Sequence, residues 1–232
     1  MPGPIDLSIW FLGTAFELLF VVCSLYRQSF LRYFFLNLYL LISTSVSIGR
    51  FLILWRYGGQ GSNHYMYFYY YSDALLTLTL FCALISLFAR VFGELRTGEY
   101  VKWGAVFLLL GTAGFSYAVV AQSAERLSTA FAYELSQNLY FVGLVLTYIL
   151  WGAVLKLHET RTRLVQIILS LGLYFSGYAA SYALMNFSGK FSVIRYICPV
   201  LGCFLPLSWS LTILRHSEEA RLVPAQLVAV PR

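Results

Sequence analysis

Apolar residues come in seven long runs separated by short polar gaps, at about 5–25, 33–55, 65–92, 101–121, 129–155, 164–185 and 191–214. A helix needs about 20 apolar residues, at 1.5 Å rise each, to cross a hydrocarbon core of about 30 Å. Each run meets or approaches that length. The pattern therefore predicts an all-α membrane protein, a single bundle of seven transmembrane helices over residues 1–232, with a short tail from 215. Short gaps make successive helices antiparallel neighbours.

The third run sets the terms for the others. It opens on an aromatic cluster, Tyr65 to Tyr71, carries one acid, Asp73, and continues largely apolar to Ala89. Aromatic rings settle at membrane–water interfaces, which puts Asp73 roughly 10–12 Å below that edge. A carboxylate at such a depth costs a few kcal/mol on insertion scales and so faces a partner or a cavity.

Composition narrows the class. Charged residues make up only 11% of the chain, against about 25% in soluble domains, and mean hydropathy is +0.72. The net charge of +6 does not point to nucleic acid, because the basic residues sit in the gaps between apolar runs. Alternate gaps, together with the tail, hold eleven basic residues: Arg27, Arg32, Arg90, Arg96, Lys102, Lys156, Arg161, Arg163, Arg215, Arg221 and Arg232. The other side holds five: Arg56, Arg126 and Lys190, with Arg50 and Arg195 just inside the helices. Basic residues favour the cytoplasmic side, so the expected topology has the N-terminus outside and the tail in the cytoplasm. A bacterial inner (cytoplasmic) membrane is the expected location, and the first run, lacking a positive n-region, is read as a retained helix.

Five ionisable residues fall within the runs, away from their extreme ends: Glu17, Arg50, Asp73, Glu134 and Arg195. The topology places all five in the outer half or near the midplane, on five different helices. Helical spacing extends these polar faces with Gly13 and Thr14, with Ser43 and Ser47, and with Tyr69 and Thr77. Glu134, Gln137 and Asn138 form the most polar patch, at the start of the fifth run. Charge inside a membrane span points first to function. Glu17, Arg50, Asp73, Glu134, Arg195, Tyr69, Gln137 and Asn138 are thus the candidates for binding a small polar or zwitterionic ligand, or for proton coupling. The competing reading is a set of interhelical salt bridges with snorkelling arginines.

Three functions follow as expectations. A ligand-binding sensor or receptor-like bundle would need a separate cytoplasmic or membrane protein partner, because the tail is too short for an output domain. A secondary transporter would use the acids as proton sites and the arginines as substrate clamps. A structural subunit would present the small residues Gly172, Ser176, Gly177, Ala180 and Ser181 to another helix. Pro199 and Pro206 should bend the last helix. Asn186-Phe187-Ser188 matches a glycosylation acceptor.

Catalysis is not expected. The histidines, His64, His158 and His216, lie in gaps or the tail, so haem, zinc and serine–histidine chemistry have no intramembrane ligand or base. No cofactor or metal is expected. Cys23, Cys82, Cys198 and Cys203 read as small apolar residues within the runs. The seven-helix layout is similar to those of G-protein-coupled receptors, bacterial seven-helix sensor modules and 3+1+3 sugar transporters. The acid–arginine–tyrosine triplet of the receptors is absent, since residues 87–92 read LFARVF. Thr14-Ala15-Phe16-Glu17-Leu18 faintly echoes Thr129-Ala130-Phe131-Ala132-Tyr133-Glu134-Leu135, as an internal repeat would.

Overall fold

The computed structural model describes residues 3–57, 62–92, 98–121, 127–156, 161–187 and 194–216; within its helices, nothing is described for the side chains of 4–5, 98–102, 105, 127–129, 185–187 and 194–196. The expected tail beyond 216 and the 186–188 acceptor lie outside the described residues and side chains.

Seven helices fill the described chain: α1 (Pro4–Tyr26), α2 (Phe34–Arg56), α3 (Asn63–Val91), α4 (Gly98–Ala121), α5 (Leu127–Lys156), α6 (Thr162–Phe187) and α7 (Ile194–Arg215). Each lies within a few residues of an apolar run. Local chemistry sets several ends. The Asp6 carboxylate accepts the Gly3 N–H at 3.0 Å, with Pro4 opening α1, where an acid and a proline both suit a helix start. The Ser62 hydroxyl accepts the Tyr65 N–H at 3.2 Å and starts α3 two residues before its aromatic run. Between α1 and α2, Gln28 takes φ of 52°, the left-handed region, and the buried Asn37 amide donates to Ser24 Oγ at 3.0 Å, Phe30 O at 3.2 Å and Tyr33 O at 3.0 Å. α7 continues through both Pro199 and Pro206.

Six helices are long and apolar enough to cross a membrane, and the described apolar part of α4 is the shorter Val106–Ala121. Neighbours run α1–α2–α3–α5–α6–α7 and back to α1, so six helices close a ring, and α4 packs outside it against α5 and, more lightly, α3. Side-chain contacts give the directions. Phe20 meets Trp209, and Cys203 lies under Ile9 and Gly13, so α1 and α7 run parallel. Gly143 faces Phe175 and Gly172 faces Thr147, so α5 and α6 run antiparallel.

The ring interior is layered. Toward the end where α2 stops and α3 starts it is polar and rich in tyrosine. Its middle and other half are filled by fully buried Phe20, Leu36, Leu84, Ile168, Leu171 and Trp209, among others. Beyond these, Arg163 is buried at the start of α6. Its Nη1 donates to Ser29 Oγ at 3.0 Å, its Nε to His216 O at 3.0 Å, and its Nη2 to Ile213 O at 3.3 Å and His216 O at 2.5 Å. The sequence reading placed Arg163 among gap arginines that only mark topology. It is instead a buried cation tying the α1–α2 turn and the end of α7 to α6. Carbonyls left without partners at a helix C-terminus attract such a cation.

The small face of α6 is used within the chain. A Cβ at Gly172 would meet Thr147 of α5 at 3.1 Å, and one at Gly177 would meet Leu201 of α7 at 2.4 Å. The four cysteines are unpaired, and Cys82 is exposed on the bundle surface rather than buried.

Candidate functional site

Glu17 points from α1 into its seam with α2. Ser43 Oγ donates to Oε1 at 2.5 Å and Thr44 Oγ1 to Oε2 at 3.2 Å, and the side chain is almost fully buried. Both hydroxyls come from consecutive residues of α2, but the single Thr44 proton is shared with the Leu40 carbonyl at 2.9 Å, so Ser43 is the stronger donor to the carboxyl.

Nearly two turns further along α2, Arg50 bridges to α3. Its Nε and Nη2 donate to Ser72 Oγ at 3.0 and 2.8 Å, and Nη2 also reaches the Tyr69 carbonyl at 3.2 Å. The guanidinium carbon lies 4.3 Å from the centre of the Tyr69 ring, a cation–π arrangement. Asp73 Oδ1 stands 4.0 Å from Arg50 Nη2, an electrostatic contact beyond hydrogen-bond length. Arg50 thus directs Nε and Nη2 at Ser72 and the α3 backbone and forms no hydrogen bond of normal length with Asp73.

Asp73 faces into the ring. Ser136 of α5 stands beside its carboxyl. Ser136 is wholly buried, and among the described residues its hydroxyl makes no hydrogen bond of normal geometry, the Asp73 carboxyl being the acceptor it faces. Within electrostatic reach of Asp73 are Tyr39 of α2, Tyr133 and Tyr140 of α5, Tyr178 and Tyr182 of α6, and Cys198 of α7. The rings form a continuous chain of contacts: Tyr70–Tyr133 at 6.3 Å and Tyr133–Tyr182 at 6.0 Å edge-on, Tyr182–Tyr140 at 5.7 Å tilted, and Tyr140–Tyr178 at 4.7 Å stacked, between centroids. Tyr178 closes the far side by donating to the Cys198 carbonyl at 3.3 Å. One carboxylate, its side chain 21% exposed, therefore lies within electrostatic reach of phenols contributed from around the ring.

The structure brings Glu17, Arg50, Tyr69 and Asp73 into one region, where the charge of Arg50 reaches Glu17 as well as Asp73. It sends Asn138 elsewhere: its amide donates to Ser116 Oγ of α4 at 2.9 Å, fastening α4 to the ring. Glu134, one turn before Asn138, is half-buried beside Tyr133. Gln137 is half-buried one turn after Tyr133. Arg195 belongs to the first turn of α7, and its side chain lies outside the described ones.

The tyrosines are what sequence reasoning passed over. Tyr174, Tyr178 and Tyr182 recur at i, i+4 and i+8, and Tyr133 and Tyr140 lie seven apart, both spacings that put residues on one helix face. Among the described residues no group of three His, Cys, Asp or Glu is placed to hold a metal ion.

Fold and site together define a class: an apolar helical bundle of membrane-spanning length, compatible with a polytopic membrane protein, with a polar and tyrosine-lined interior toward one end. No protein-family model, curated protein or solved structure matches the chain.

Proposed function

We propose that this chain is a receptor-like or sensor bundle of a bacterial cytoplasmic membrane, with its N-terminus outside and its C-terminus in the cytoplasm, that binds a small zwitterionic ligand at Asp73. The observation that carries this reading is the partly exposed Asp73 carboxylate within electrostatic reach of phenols of other helices, with the buried Ser136 hydroxyl facing it. An ammonium group is the natural complement of a carboxylate among aromatic faces. The acidic end of the same ligand meets Arg50, whose guanidinium already stands beside Asp73.

Binding is favoured over passage by the apolar layer below the site. Phe20, Leu84, Ile168 and Trp209 are fully buried there, and a charged solute would cross such an apolar layer only at high cost. A transporter using Glu17 and Asp73 as proton sites draws its support from the ring, in which α1–α3 and α5–α7 are two similarly directed triplets. In the sensor reading, a separate protein partner carries the signal onward.

The test is thermal unfolding of the purified chain in detergent, wild type and Asp73→Asn, against a panel of small amino acids, betaines, amines and carboxylates. A zwitterion that raises the wild-type melting temperature, by linkage, and leaves Asp73→Asn unmoved supports the reading. A panel that moves neither protein, or both equally, overturns it.

A further inference from the structure

Outside the ring, the end of the α2–α3 hairpin holds a groove of about 470 Å³ lined by Leu52, Ile53, Arg56, Tyr57, His64, Tyr67, Phe68 and Tyr71. The site around Asp73 makes no use of it. We infer that this groove is a binding site for an anionic phospholipid.

Its chemistry is sorted by depth. Arg56 ends one membrane-spanning helix, and His64 is the second residue of the next. Both stand at the rim, where Tyr57 connects them: its ring is 4.7 Å from that of His64 and 6.0 Å from the Arg56 guanidinium carbon. Leu52 and Ile53 lie about a turn further in on α2, and Phe68 and Tyr71 one to two turns in on α3, about 6–10 Å below the rim. A cationic, aromatic rim over an apolar cleft matches a phosphate headgroup over the first part of its acyl chains.

Charge selects the anionic class. Between Arg50 and Asp73 the chain contains Arg56 and His64 and no acid, so no carboxylate from this hairpin competes for the rim. Leu52, Tyr57 and Tyr71 are about half exposed, so a lipid reaches the groove from the bundle surface without the ring opening. Gly49 completes the shape: the Phe68 ring lies where a Cβ would be, 2.8 Å from Cζ, which draws this ring against α2 and hollows the seam beyond it.

The experiment is native mass spectrometry of the full chain, released from detergent after incubation with phosphatidylglycerol or with phosphatidylcholine of identical acyl chains. We expect one phosphatidylglycerol retained in preference to phosphatidylcholine. Each basic residue near an anionic headgroup contributes about 1 kcal/mol, so Arg56→Gln should lower retention about fivefold. Leu52→Trp, which fills the cleft and keeps Arg56 and His64, should lower it as well. Thermal unfolding of each variant confirms that both fold. Equal retention of the two lipids, or full retention in folded Arg56→Gln, overturns the inference. So does displacement of the lipid by millimolar inorganic phosphate, which would mark a site for free anions.

Discussion

Arg163 grips the His216 carbonyl twice, through Nε at 3.0 Å and Nη2 at 2.5 Å. The same guanidinium holds Ser29, so the α1–α2 turn, α6 and the end of α7 share one buried cation. Arg163→Met should lower stability by about 3 kcal/mol or more, since it leaves buried acceptors without donors. Arg163→Lys should recover little, because an ammonium cannot reproduce the planar fork. Thermal unfolding in detergent checks both. Retained stability in Arg163→Met would show that the contacts carry no net energy.

Two glycines of α5 in different surroundings predict a graded pair. A Cβ at Gly143 would lie 2.4 Å from Phe175 Cε1, whereas one at Gly152 on the same helix meets nothing within 4 Å. Gly143→Ala should cost about 1–3 kcal/mol through forced repacking. Gly152→Ala should be neutral or should stabilise by up to about 1 kcal/mol, as alanine is the better helix former. Equal melting temperatures for the two variants would contradict the α5–α6 packing.

The Arg50 interactions predict an order of coupling. Hydrogen bonds to a charged group are worth about 1.5–3 kcal/mol, and two of them run from Arg50 to Ser72, while Asp73 stands 4.0 Å away. Double-mutant cycles should therefore give stronger coupling between Arg50→Gln and Ser72→Ala than between Arg50→Gln and Asp73→Asn. The reverse order would mean that Asp73 is held as an ion-pair partner and not kept for a ligand.

Gln28 predicts a gain. Its φ of 52° costs a residue with a Cβ about 1–2 kcal/mol, and its side chain is exposed. Gln28→Gly should raise stability by a few tenths to about 1 kcal/mol, with the greater flexibility of glycine in the unfolded chain offsetting part of the gain. Gln28→Val should lower it. Chemical unfolding in parallel with wild type reads both signs.

How far the sequence speaks depends on whether a feature is local. Seven helices and their ends follow from apolar run length and from single caps such as Ser62, all of which act within a few residues. Arg50 and Asp73 stood out because charge is scarce in these runs. The surroundings of Asp73 did not, because they depend on which helices close the ring, and Ser136 is an ordinary polar residue until α5 is set beside α3. Arg163 was misjudged for the same reason. Its position near a helix end looked exposed, and only the ends of α1 and α7 folding over it make it buried. Asn138 shows the converse: its polarity was legible, but its direction toward α4 was not.

The helix left outside the ring has a consequence for what kind of object this is. Asp73 and Tyr39 come from the segment before α4, and Ser136, Tyr140, Tyr178 and Cys198 from the segment after it. The candidate site is thus an interface between two three-helix halves, and α4 is the tether that holds them at one-to-one stoichiometry and high effective concentration. Any molecule seated there touches both halves at once, so its occupancy becomes a statement about how they are docked.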